Sequence, residues 1–407
     1  MKKSMEEKKK MPQIRFNGFN DDWEQLKLGE LSSSFEYGLN AAAKEYDGKN
    51  KYIRITDIDD DSRKFKQEDI TSPDTDLSSA ENYRLSEGDI LFTRTGASVG
   101  KSYIYKASDG LVYYAGFLIR AKIKKDYNPE FVFQNTLTND YEKFIKITSM
   151  RSGQPGVNAQ EYSQYQIMMP CKREQDRISG YLRRLDNLIT LHQHKCDQLR
   201  NLKKAMLKKM FPQDGVSIPE LRFIGFTDTW EQRKLGDVTQ IIMGQSPDGS
   251  TYSETPKDYI LVQGNSDIKD GWVEPRLWTT QVTKKADVGD LIMSVRAPAG
   301  SMGKTAYNVV IGRGVAAIKG NEFIFQSLIK KDIEGFWKKI TTGSTFESLN
   351  SNDIKNSNLL VPVNEEQIKI GQYFSQLDNL ITLHQRKLEK LKVIKKSLLS
   401  KMFVDAD

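Results

Sequence analysis

The sequence contains little of what disulfides, metal sites and membrane spans require. Two cysteines, Cys171 and Cys196, and three histidines leave almost no material for a disulfide framework or a His/Cys metal site. No apolar run approaches the ~20 residues that span a bilayer. The start, MKKSMEEKKK, has no apolar stretch behind it, so residues 1–11 are predicted to be a disordered basic tail and not a signal peptide. These absences favour a cytoplasmic protein with no metal of its own.

What the sequence does contain is a long internal repeat. The nonapeptide LDNLITLHQ occurs at 185–193 and again at 377–385, and the match extends without gaps over 185–211 and 377–403. Three further pairs of similar segments follow the same order in both halves: IRFNGFNDDWEQLKLGEL from Ile14 with LRFIGFTDTWEQRKLGDV from Leu221, EGDILFTRTGASVGK from Glu87 with VGDLIMSVRAPAGSMGK from Val288, and TSMRSGQPGVN from Thr148 with ITTGSTFESLN from Ile340. A repeat near 200 residues is too long for a solenoid unit, so the 407-residue chain is predicted to hold two similar domains.

The last repeated segment of each half, which contains the nonapeptide, is predicted to belong to a long helix. Apolar and a few polar residues recur there at alternating spacings of three and four, which is the heptad pattern of a coiled coil. In the first half these are Leu182, Leu185, Ile189, His192, Cys196, Leu199, Lys203, Met206 and Met210, and in the second Phe374, Leu377, Ile381, His384, Leu388, Leu391, Lys395, Leu398 and Met402. Because the two heptad patterns match, the two helices are expected to pack on each other.

The remainder of each half mixes strand-like and helix-like runs, so the fold class is α+β. The strand-like runs are 52–58, 90–95, 110–123, 260–263, 291–295 and 312–318, and the helix-like runs are 131–147 and 323–340. Between the repeated segments, residues 33–86 and 240–287 cannot be aligned. The predicted organisation is a domain over 12–172, a spacer helix over 173–211, a linker over 212–218, a second domain over 219–363 and a second spacer helix over 364–403.

The positive charge is concentrated in the tail and the helices. The net charge of +7 includes ten Lys/Arg against four Asp/Glu over 173–210, eight against four over 364–403, and five against two in the first ten residues. The rest of the chain is therefore net acidic, at −6. This distribution excludes a uniformly basic coat for nucleic acid.

Two short motifs resemble enzyme signatures but depart from them. The segments TGASVGKS from Thr95 and PAGSMGKT from Pro298 resemble a Walker A loop, yet both lack its first glycine and lead into strand-like residues. They are interpreted as a turn after a strand that brings Arg94, Lys101, Arg296 and Lys304 near a surface, the alternative being a loop required only by the fold. The tetrapeptide NPEF from Asn128 differs by one residue from an amino-methyltransferase motif and is interpreted as an ordinary helix start.

Polar residues at the heptad positions have a structural interpretation. His192 and His384 occupy equivalent positions, where each can hydrogen-bond across the helix pair and set its register, and Lys203 and Lys395 can do likewise. The chain shows no Ser/His/Asp set, no carboxylate pair at a defined spacing and no metal-ligand cluster. It is therefore predicted to catalyse nothing by itself.

Taken together, the repeated motifs resemble those of the specificity subunit of type I restriction-modification systems. The matching elements are Trp23–Gly29 and Trp230–Gly236, Gly88–Lys101 and Gly289–Lys304, and Glu174–Met210 and Glu366–Met402. The resemblance implies two target recognition domains, each reading one part of a split DNA sequence, and two helices in a pseudo-two-fold antiparallel coiled coil. It also implies two modification (methyltransferase) subunits docked on the helices, and restriction (translocase/nuclease) subunits beyond them. S-adenosylmethionine, ATP and Mg²⁺ would then bind to partners and not to this chain.

Candidate interface residues follow from this resemblance and from the positions of basic and apolar side chains. Candidates for contact with double-stranded DNA are Arg54, Arg63, Lys64, Arg94, Lys101, Arg151, Gln154, Arg276, Arg296, Lys304 and Arg313. Candidates for helix–helix contact and partner docking are Leu182, Leu185, Ile189, His192, Leu199, Met206, Leu377, Ile381, His384, Leu388, Leu391 and Leu398. Mixtures of aromatic and basic residues, as in Trp272–Trp278, suit DNA contact but are also common in cores and their rims.

The predicted helix lengths agree with a bipartite DNA target. A helix over Glu174–Met210 would measure about 55 Å at ~1.5 Å per residue, or roughly one and a half turns of duplex. Divergent domain interiors predict an asymmetric target, and net acidic domains predict weak DNA binding by the isolated chain. The alternatives are a stand-alone sequence-specific DNA-binding regulator, and an enzyme such as a nucleotide-dependent kinase or methyltransferase.

Overall fold

The computed structural model describes residues 11–150, 155–213, 215–341 and 348–406. The chain divides into two compact units, of which unit 1 comprises Met1–Leu191 and Leu388–Asp407, and unit 2 comprises His192–Lys387. Each unit therefore holds one mixed α/β domain, the first part of the long helix that follows it, and the last part of the long helix from the other half.

The elements of the first half alternate short strands with short helices before one long helix. In chain order they are β1 (Glu24–Lys27), α1 (Leu28–Leu31), β2 (Ser32–Tyr37), β3 (Ala42–Glu45), β4 (Lys51–Ile53), β5 (Thr71–Asp74), β6 (Ile90–Thr93), β7 (Ser102–Ile104), β8 (Val112–Tyr114), β9 (Leu118–Ile123), α2 (Pro129–Asn135), α3 (Asn139–Ser149), α4 (Ala159–Ser163), β10 (Gln166–Met169) and α5 (Lys172–Met210). Single 3-10 turns lie at Ile55–Asp57, Leu77–Ser79, Glu81–Tyr83, Gly96–Ser98 and Ala107–Asp109.

The second half repeats this plan with additional short strands. Its elements are β11 (Glu231–Lys234), α6 (Leu235–Val238), β12 (Ile241–Met243), β13 (Tyr252–Ser253), β14 (Tyr259–Val262), β15 (Ile268–Lys269), β16 (Trp272–Val273), β17 (Trp278–Thr279), β18 (Lys285–Ala286), β19 (Leu291–Ser294), β20 (Met302–Lys304), β21 (Val309–Ile311), β22 (Val315–Ile318), α7 (Glu322–Ile333), α8 (Phe336–Thr341), α9 (Ser351–Lys355), β23 (Asn358–Val361) and α10 (Asn364–Met402). Single 3-10 turns lie at Gly249–Thr251 and Asn265–Asp267.

Both units contain the same four-stranded antiparallel sheet. Its strand order is β2-β9-β6-β7 in unit 1, and β12-β22-β19-β20 in unit 2, where β16 and β15 extend it. The parallel pair β4–β8 corresponds to β14–β21, and the antiparallel pair β1–β10 corresponds to β11–β23. In unit 2, β14 and β21 belong to a five-stranded sheet of order β13-β17-β14-β21-β18. The repeat in the sequence is therefore a repeat of the fold.

Aromatic side chains place the end of each long helix in the core of a unit. In unit 1, Trp23 packs edge-on against Phe131 at 5.8 Å, and Phe131 stacks on Phe403 at 5.0 Å between ring centroids. In unit 2, Phe211 stacks on Phe323 at 5.3 Å. All five side chains are buried. The core of each unit is thus completed by a segment from the other repeat.

A buried ion pair fixes the segment before the first strand of each repeat. Arg15 donates two hydrogen bonds to Glu174 at 2.8 Å, and Arg222 does the same to Glu366 at 2.7 and 2.8 Å. Both glutamates are fully buried. Because the pairing is bidentate, each carboxylate keeps hydrogen bonds that replace those lost to water.

The predicted helix starts are present, but the helix-like runs are interrupted. The N-cap Asn128 accepts a hydrogen bond from the Phe131 N–H, as an ordinary helix start would. The predicted helix over 131–147 is two helices, α2 and α3, because the Thr138 side chain caps a new helix by accepting from Tyr141 N–H. The predicted helix over 323–340 is likewise α7 and α8, with Gly335 between them at φ +71°.

Two predicted strands were also too long. The run over 110–123 is β8 and β9 joined by a tight turn, and the run over 312–318 begins with the corresponding turn before β22. Each turn joins a strand in a parallel pair to a strand in an antiparallel pair. In unit 1 these are β8, paired with β4, and β9, paired with β6; in unit 2 they are β21, paired with β14, and β22, paired with β19. Within the described residues, no helix combines the length and apolarity needed to cross a bilayer.

Candidate nucleic-acid interface

Within each unit the segments of α5 and α10 pack on each other, as the heptad pattern predicts, and they run antiparallel, as the resemblance implies. In unit 1, Asp186 of α5 binds Lys395 of α10 at 2.6 Å, and in unit 2, Lys203 of α5 binds Asp378 of α10 at 2.6 Å. The helix candidates Leu182 and Leu185 belong to the core of unit 1, with Leu391 and Leu398 packed against it. Leu199, Leu377 and Ile381 belong to the core of unit 2, with Met206 packed against it. Leu388 is buried, and Ile189 is half-buried.

The aspartate of the nonapeptide also joins the helix pair to its domain. The side-chain amide of Gln134 in α2 donates to Asp186 at 2.9 Å, and that of Gln326 in α7 donates to Asp378 at 2.8 Å. Each aspartate therefore accepts one hydrogen bond from a lysine of the facing helix and one from a glutamine of a short helix. This network occurs once in each unit, which explains why the same Asp recurs in both repeats.

The predicted polar contact between the two histidines is present in unit 2. The Nδ1 atoms of His192 and His384 lie 2.8 Å apart, a hydrogen bond that requires one ring to donate and the other to accept. Two protonated rings cannot form this bond. Burial, followed by the neighbouring charges of His192, Lys387 and Lys195, lowers the pKa of His384.

This pair predicts a loss of stability in mild acid. Because the folded state lowers the pKa of His384, the unfolded chain binds more protons, and stability is lost as the pH falls through about 6.5. The wild type is expected to lose more thermal stability between about pH 7.5 and 5.5 than the double variant His192→Gln, His384→Gln. Thermal unfolding of both proteins measures this difference, and equal slopes would contradict it.

Each unit presents one edge built from three backbone segments at the same end of the shared sheet. Edge 1 comprises Tyr37–Leu39, Arg94–Thr95 and Ala115–Phe117, and edge 2 comprises Met243–Gln245, Val295–Arg296 and Gly312–Gly314. Four backbone hydrogen bonds of unit 1 each have a counterpart in unit 2. In unit 1 the N–H groups of Gly38, Leu39, Arg94 and Val157 donate to the carbonyl oxygens of Leu118, Tyr114, Phe117 and Arg94, respectively. In unit 2, in the same order, those of Gly244, Gln245, Val295 and Leu349 donate to the carbonyl oxygens of Val315, Ile311, Gly314 and Val295. The two edges are therefore equivalent position by position.

A glycine at the centre of each edge is required by close backbone contact. A Cβ atom on Gly38 would lie 2.1 Å from the Ala115 carbonyl oxygen, and one on Gly244 would lie 2.1 Å from that of Gly312. Both glycines fall in segments that cannot be aligned by sequence. Because the residues around each glycine differ, the sequence does not indicate that Gly38 and Gly244 are equivalent.

The side chains on the two edges differ in chemical type. Edge 1 carries aromatic residues, with Phe117 61% and Tyr37 44% exposed, and the Arg94 guanidinium lies 5.1 Å from the Tyr37 ring. Edge 2 carries the exposed Arg296 and Arg313. Arg296 replaces Thr95, and Arg313 replaces Gly116. The same backbone thus presents two different surfaces, and Tyr37 and Phe117 are exposed residues that sequence reasoning did not single out.

Several of the predicted DNA-contact residues form ion pairs within the protein. The pairs join Arg54 to Asp57 at 2.8 Å, Lys101 to Asp60 at 2.5 Å, Arg276 to Asp267 at 2.8 Å, and Lys304 to Glu322 at 2.8 Å. The Lys101 side chain is itself buried, and it pairs with Asp60, whose side chain is 81% exposed. By contrast, no described residue forms a hydrogen bond or ion pair with the guanidinium groups of Arg296 and Arg313.

The remaining candidates are scattered. Arg63 lies in a turn at φ +57°, and Lys64 is exposed and hydrogen-bonded to Thr190 of α5. Arg151 and Gln154 lie outside the described residues. Of the eleven candidates, the structure brings together Arg296 and Arg313 on edge 2 and places Arg94 on edge 1.

The two Gly-Lys pairs, aligned with each other by sequence, are not equivalent in the structure. Thr93 N–H donates to the Lys101 carbonyl, whereas the corresponding Ser294 N–H donates to that of Ser301. Lys304 pairs instead with Leu291 inside β20, the position that Ile104 occupies in β7. The loop between β6 and β7 differs in length from the loop between β19 and β20. As a result, Lys101 lies just before β7, whereas Lys304 lies within β20.

Each half of the chain pairs a mixed α/β domain with a long helix, and this arrangement agrees with the family that the sequence matches. The model of the type I restriction modification DNA specificity domain matches residues 20–201 and 227–393. The MjaX specificity subunit of Methanocaldococcus jannaschii is 27% identical, over 93% of this chain and 92% of that relative. The type I restriction enzyme MjaVIII specificity subunit of the same organism is 20% identical over the same shares.

Solved structures show the same fold. The S subunit of a type I restriction-modification system from M. genitalium covers 98% of this chain and 100% of its own at 15% identity, with a TM-score of 0.70. A chain from a study of complex assembly in the type I R-M system covers 95% and 99% at 22% identity, with a TM-score of 0.52. The chain belongs to the type I restriction-modification DNA specificity family. It is a non-catalytic DNA-recognition subunit with two recognition domains. This membership does not favour the alternative interpretation as a stand-alone DNA-binding regulator.

Proposed function

We propose that the two units read the two parts of an asymmetric, bipartite DNA target through edge 1 and edge 2. The observation that carries this proposal is the difference between the edges. The same backbone hydrogen bonds support the exposed Tyr37 and Phe117 in unit 1, and in unit 2 they support Arg296 and Arg313, whose guanidinium groups have no partner among the described residues. Side chains required by the fold recur in both units, whereas side chains that read sequence must differ if the two half-targets differ.

Methylated-site sequencing tests this proposal directly. DNA from cells that carry the chain together with modification partners is expected to be methylated at a two-part sequence separated by unspecified bases. Cells with the partners but without the chain provide the control and should lack this methylation. A continuous methylated sequence, or the same methylation without the chain, would refute the proposal.

We further propose that modification subunits dock on leucines that the two nonapeptides expose. Leu188 and Leu191 in unit 1 are 43% and 61% exposed, and their counterparts Leu380 and Leu383 in unit 2 are 44% and 46% exposed. Leucine on the solvent side of a helix adds nothing to the coiled coil, yet it occurs at the same two positions of both repeats. Two identical surfaces suit two copies of one partner.

The docking proposal predicts a stepwise loss of partners. Burying a leucine contributes roughly 1.5–3 kcal/mol, so Leu188→Glu with Leu191→Glu is expected to weaken one docking site by about 100-fold or more. Native mass measurement of the assembled complex should then show one modification subunit instead of two, and none when Leu380→Glu and Leu383→Glu are added. Val393→Glu is the control, since Val393 is 67% exposed on α10 and its counterpart in the first repeat is Asn201. A complex that keeps both partners in all variants would contradict the proposal.

The cofactors of the reaction are proposed to bind to the partner subunits. S-adenosylmethionine would serve the modification subunits, and ATP with Mg²⁺ the restriction subunits. In support, Gly100 and Lys101 lead into strand β7, whereas a P-loop needs a helix N-terminus at this point to bind phosphates. In equilibrium binding measurements, the isolated chain is expected to show no measurable affinity for ATP or S-adenosylmethionine.

A further inference from the structure

The turn that carries Arg313 is held rigidly by its backbone. Gly312 N–H donates to Val262 O at 2.8 Å, Val315 N–H donates to Gly312 O at 3.1 Å, and Val295 N–H donates to Gly314 O at 2.9 Å. The N–H of Arg313 itself donates to the Ser246 hydroxyl at 3.2 Å. The Cα of Arg313 therefore has a defined position on edge 2, while its side chain projects from the turn.

The other two residues of the turn, Gly312 and Gly314, have no side chain that could contact a ligand. A Cβ on Gly314 would lie 2.0 Å from the Gln263 carbonyl oxygen, so a side chain cannot be accommodated there. At Gly312 a Cβ would already be 3.3 Å from both the Ser246 hydroxyl and the Gln263 side chain. Arg313 is thus the one position of the three at which a side chain extends freely from the turn.

The charge of Arg313 has no structural use within the described part of the chain. No described residue pairs with its guanidinium group, whereas Arg276 in the same unit is bound to Asp267 and Lys304 to Glu322. The equivalent position in unit 1 is Gly116, so the shared sheet does not require an arginine there. A rigidly placed cation that the fold does not need points to an anionic or hydrogen-bond-accepting ligand.

We propose that Arg313 reads a guanine in the part of the DNA target recognised by unit 2. This inference rests on the proposed function of edge 2. In the major groove, guanine presents O6 and N7 as two adjacent acceptors, and the guanidinium of arginine donates to both. Arg296, on the next backbone segment of the same edge, has no partner for its guanidinium group among the described residues and adds a second positive charge for the phosphates. Edge 1 has no cation at the Gly116 position, so no equivalent guanine contact arises in the other half.

Methylated-site sequencing of complexes carrying Arg313→Ala, Arg313→Lys or the wild-type chain tests this assignment. Arg313→Ala is expected to lose roughly 10- to 100-fold of the preference for guanine at one position of one half-target, with the other half unchanged. Arg313→Lys should keep the positive charge and still relax that position, because lysine lacks the paired donors. Arg233→Ala, which removes an exposed arginine on β11 in the same unit, should leave the target unchanged.

A base substitution in the DNA makes the test independent of folding. Replacing each guanine of the unit 2 half-target by 7-deazaguanine removes N7, and at one position this should weaken binding of the wild-type complex but not of the Arg313→Ala complex. Equal weakening of Arg313→Ala on all sequences would identify a phosphate contact and overturn the proposal. So would an unchanged target, or a unit 2 half-target without guanine. If the wild-type complex methylates no two-part sequence, the proposed function itself fails, which is a separate outcome.

Discussion

Exchanging residues 33–172 for the corresponding segment of another specificity subunit is expected to change one half of the methylated sequence completely and to leave the other half unchanged. All of edge 1 lies inside this segment, and all of edge 2 lies outside it. The exchanged segment contacts the rest of unit 1 through side chains that the second repeat also has, such as Phe131 on Phe403 and Gln134 on Asp186. Methylated-site sequencing of the exchanged chain, assembled with its partners, measures the result.

The reciprocal exchange is the matched control. Replacing residues 240–363 should change the half that the first exchange left intact. The incoming segment must keep the counterparts of Phe323 and Gln326, because these bind Phe211 and Asp378 in unit 2. A change in both halves after either exchange would show that the two units do not read DNA independently.

The substitution Phe403→Ala is expected to destabilise the domain at the opposite end of the chain. Phe403 is 6% exposed and stacks on Phe131 in the core of unit 1, so its removal should cost about 3–5 kcal/mol of the free energy of unfolding of that unit. Hydrogen exchange should become faster in β6, β9 and α2, although these elements precede Phe403 by more than half of the chain.

Phe211→Ala provides the mirror experiment. Phe211 is 4% exposed and packs against Phe323 and Trp230, so its loss should accelerate exchange in β19, β22 and α7 of unit 2. Hydrogen exchange is therefore expected to become faster in unit 1 for the variant of the second repeat, Phe403→Ala, and in unit 2 for the variant of the first repeat, Phe211→Ala. If Phe403→Ala affected the strands of unit 2 as strongly as those of unit 1, the assignment of the helix ends to these cores would be wrong.

Much of the architecture is predictable from the sequence because it depends on local periodicity and on repetition. The predicted spacer helices over 173–211 and 364–403 agree with α5 and α10 to within one residue at each end, and the repeated segments predict two domains of the same fold. The polar residues at heptad positions are also interpreted correctly: His192 meets His384, and Lys203 meets an aspartate of the facing helix.

The interface was less predictable because it depends on which charges are neutralised. Lys304 resembles a free cation in the sequence, but Glu322 binds it from the start of α7, and Lys101 is buried beside Asp60. Such partners lie 18 and 41 positions away and follow no period. Phe117 gave no signal either, since a phenylalanine between buried positions is ordinarily assigned to the core.

The sequence by itself determined the repeat, the paired helices and the family, since each of these rests on residue types at regular spacing. Only the tertiary structure decided that the end of each long helix completes the core of the unit built on the other repeat. It also decided that Gly38 and Gly244, in segments without similarity, hold equivalent edges. The physical reason is the same in both cases: backbone hydrogen bonds and close packing specify positions in space, and they leave the exposed side chains free to differ.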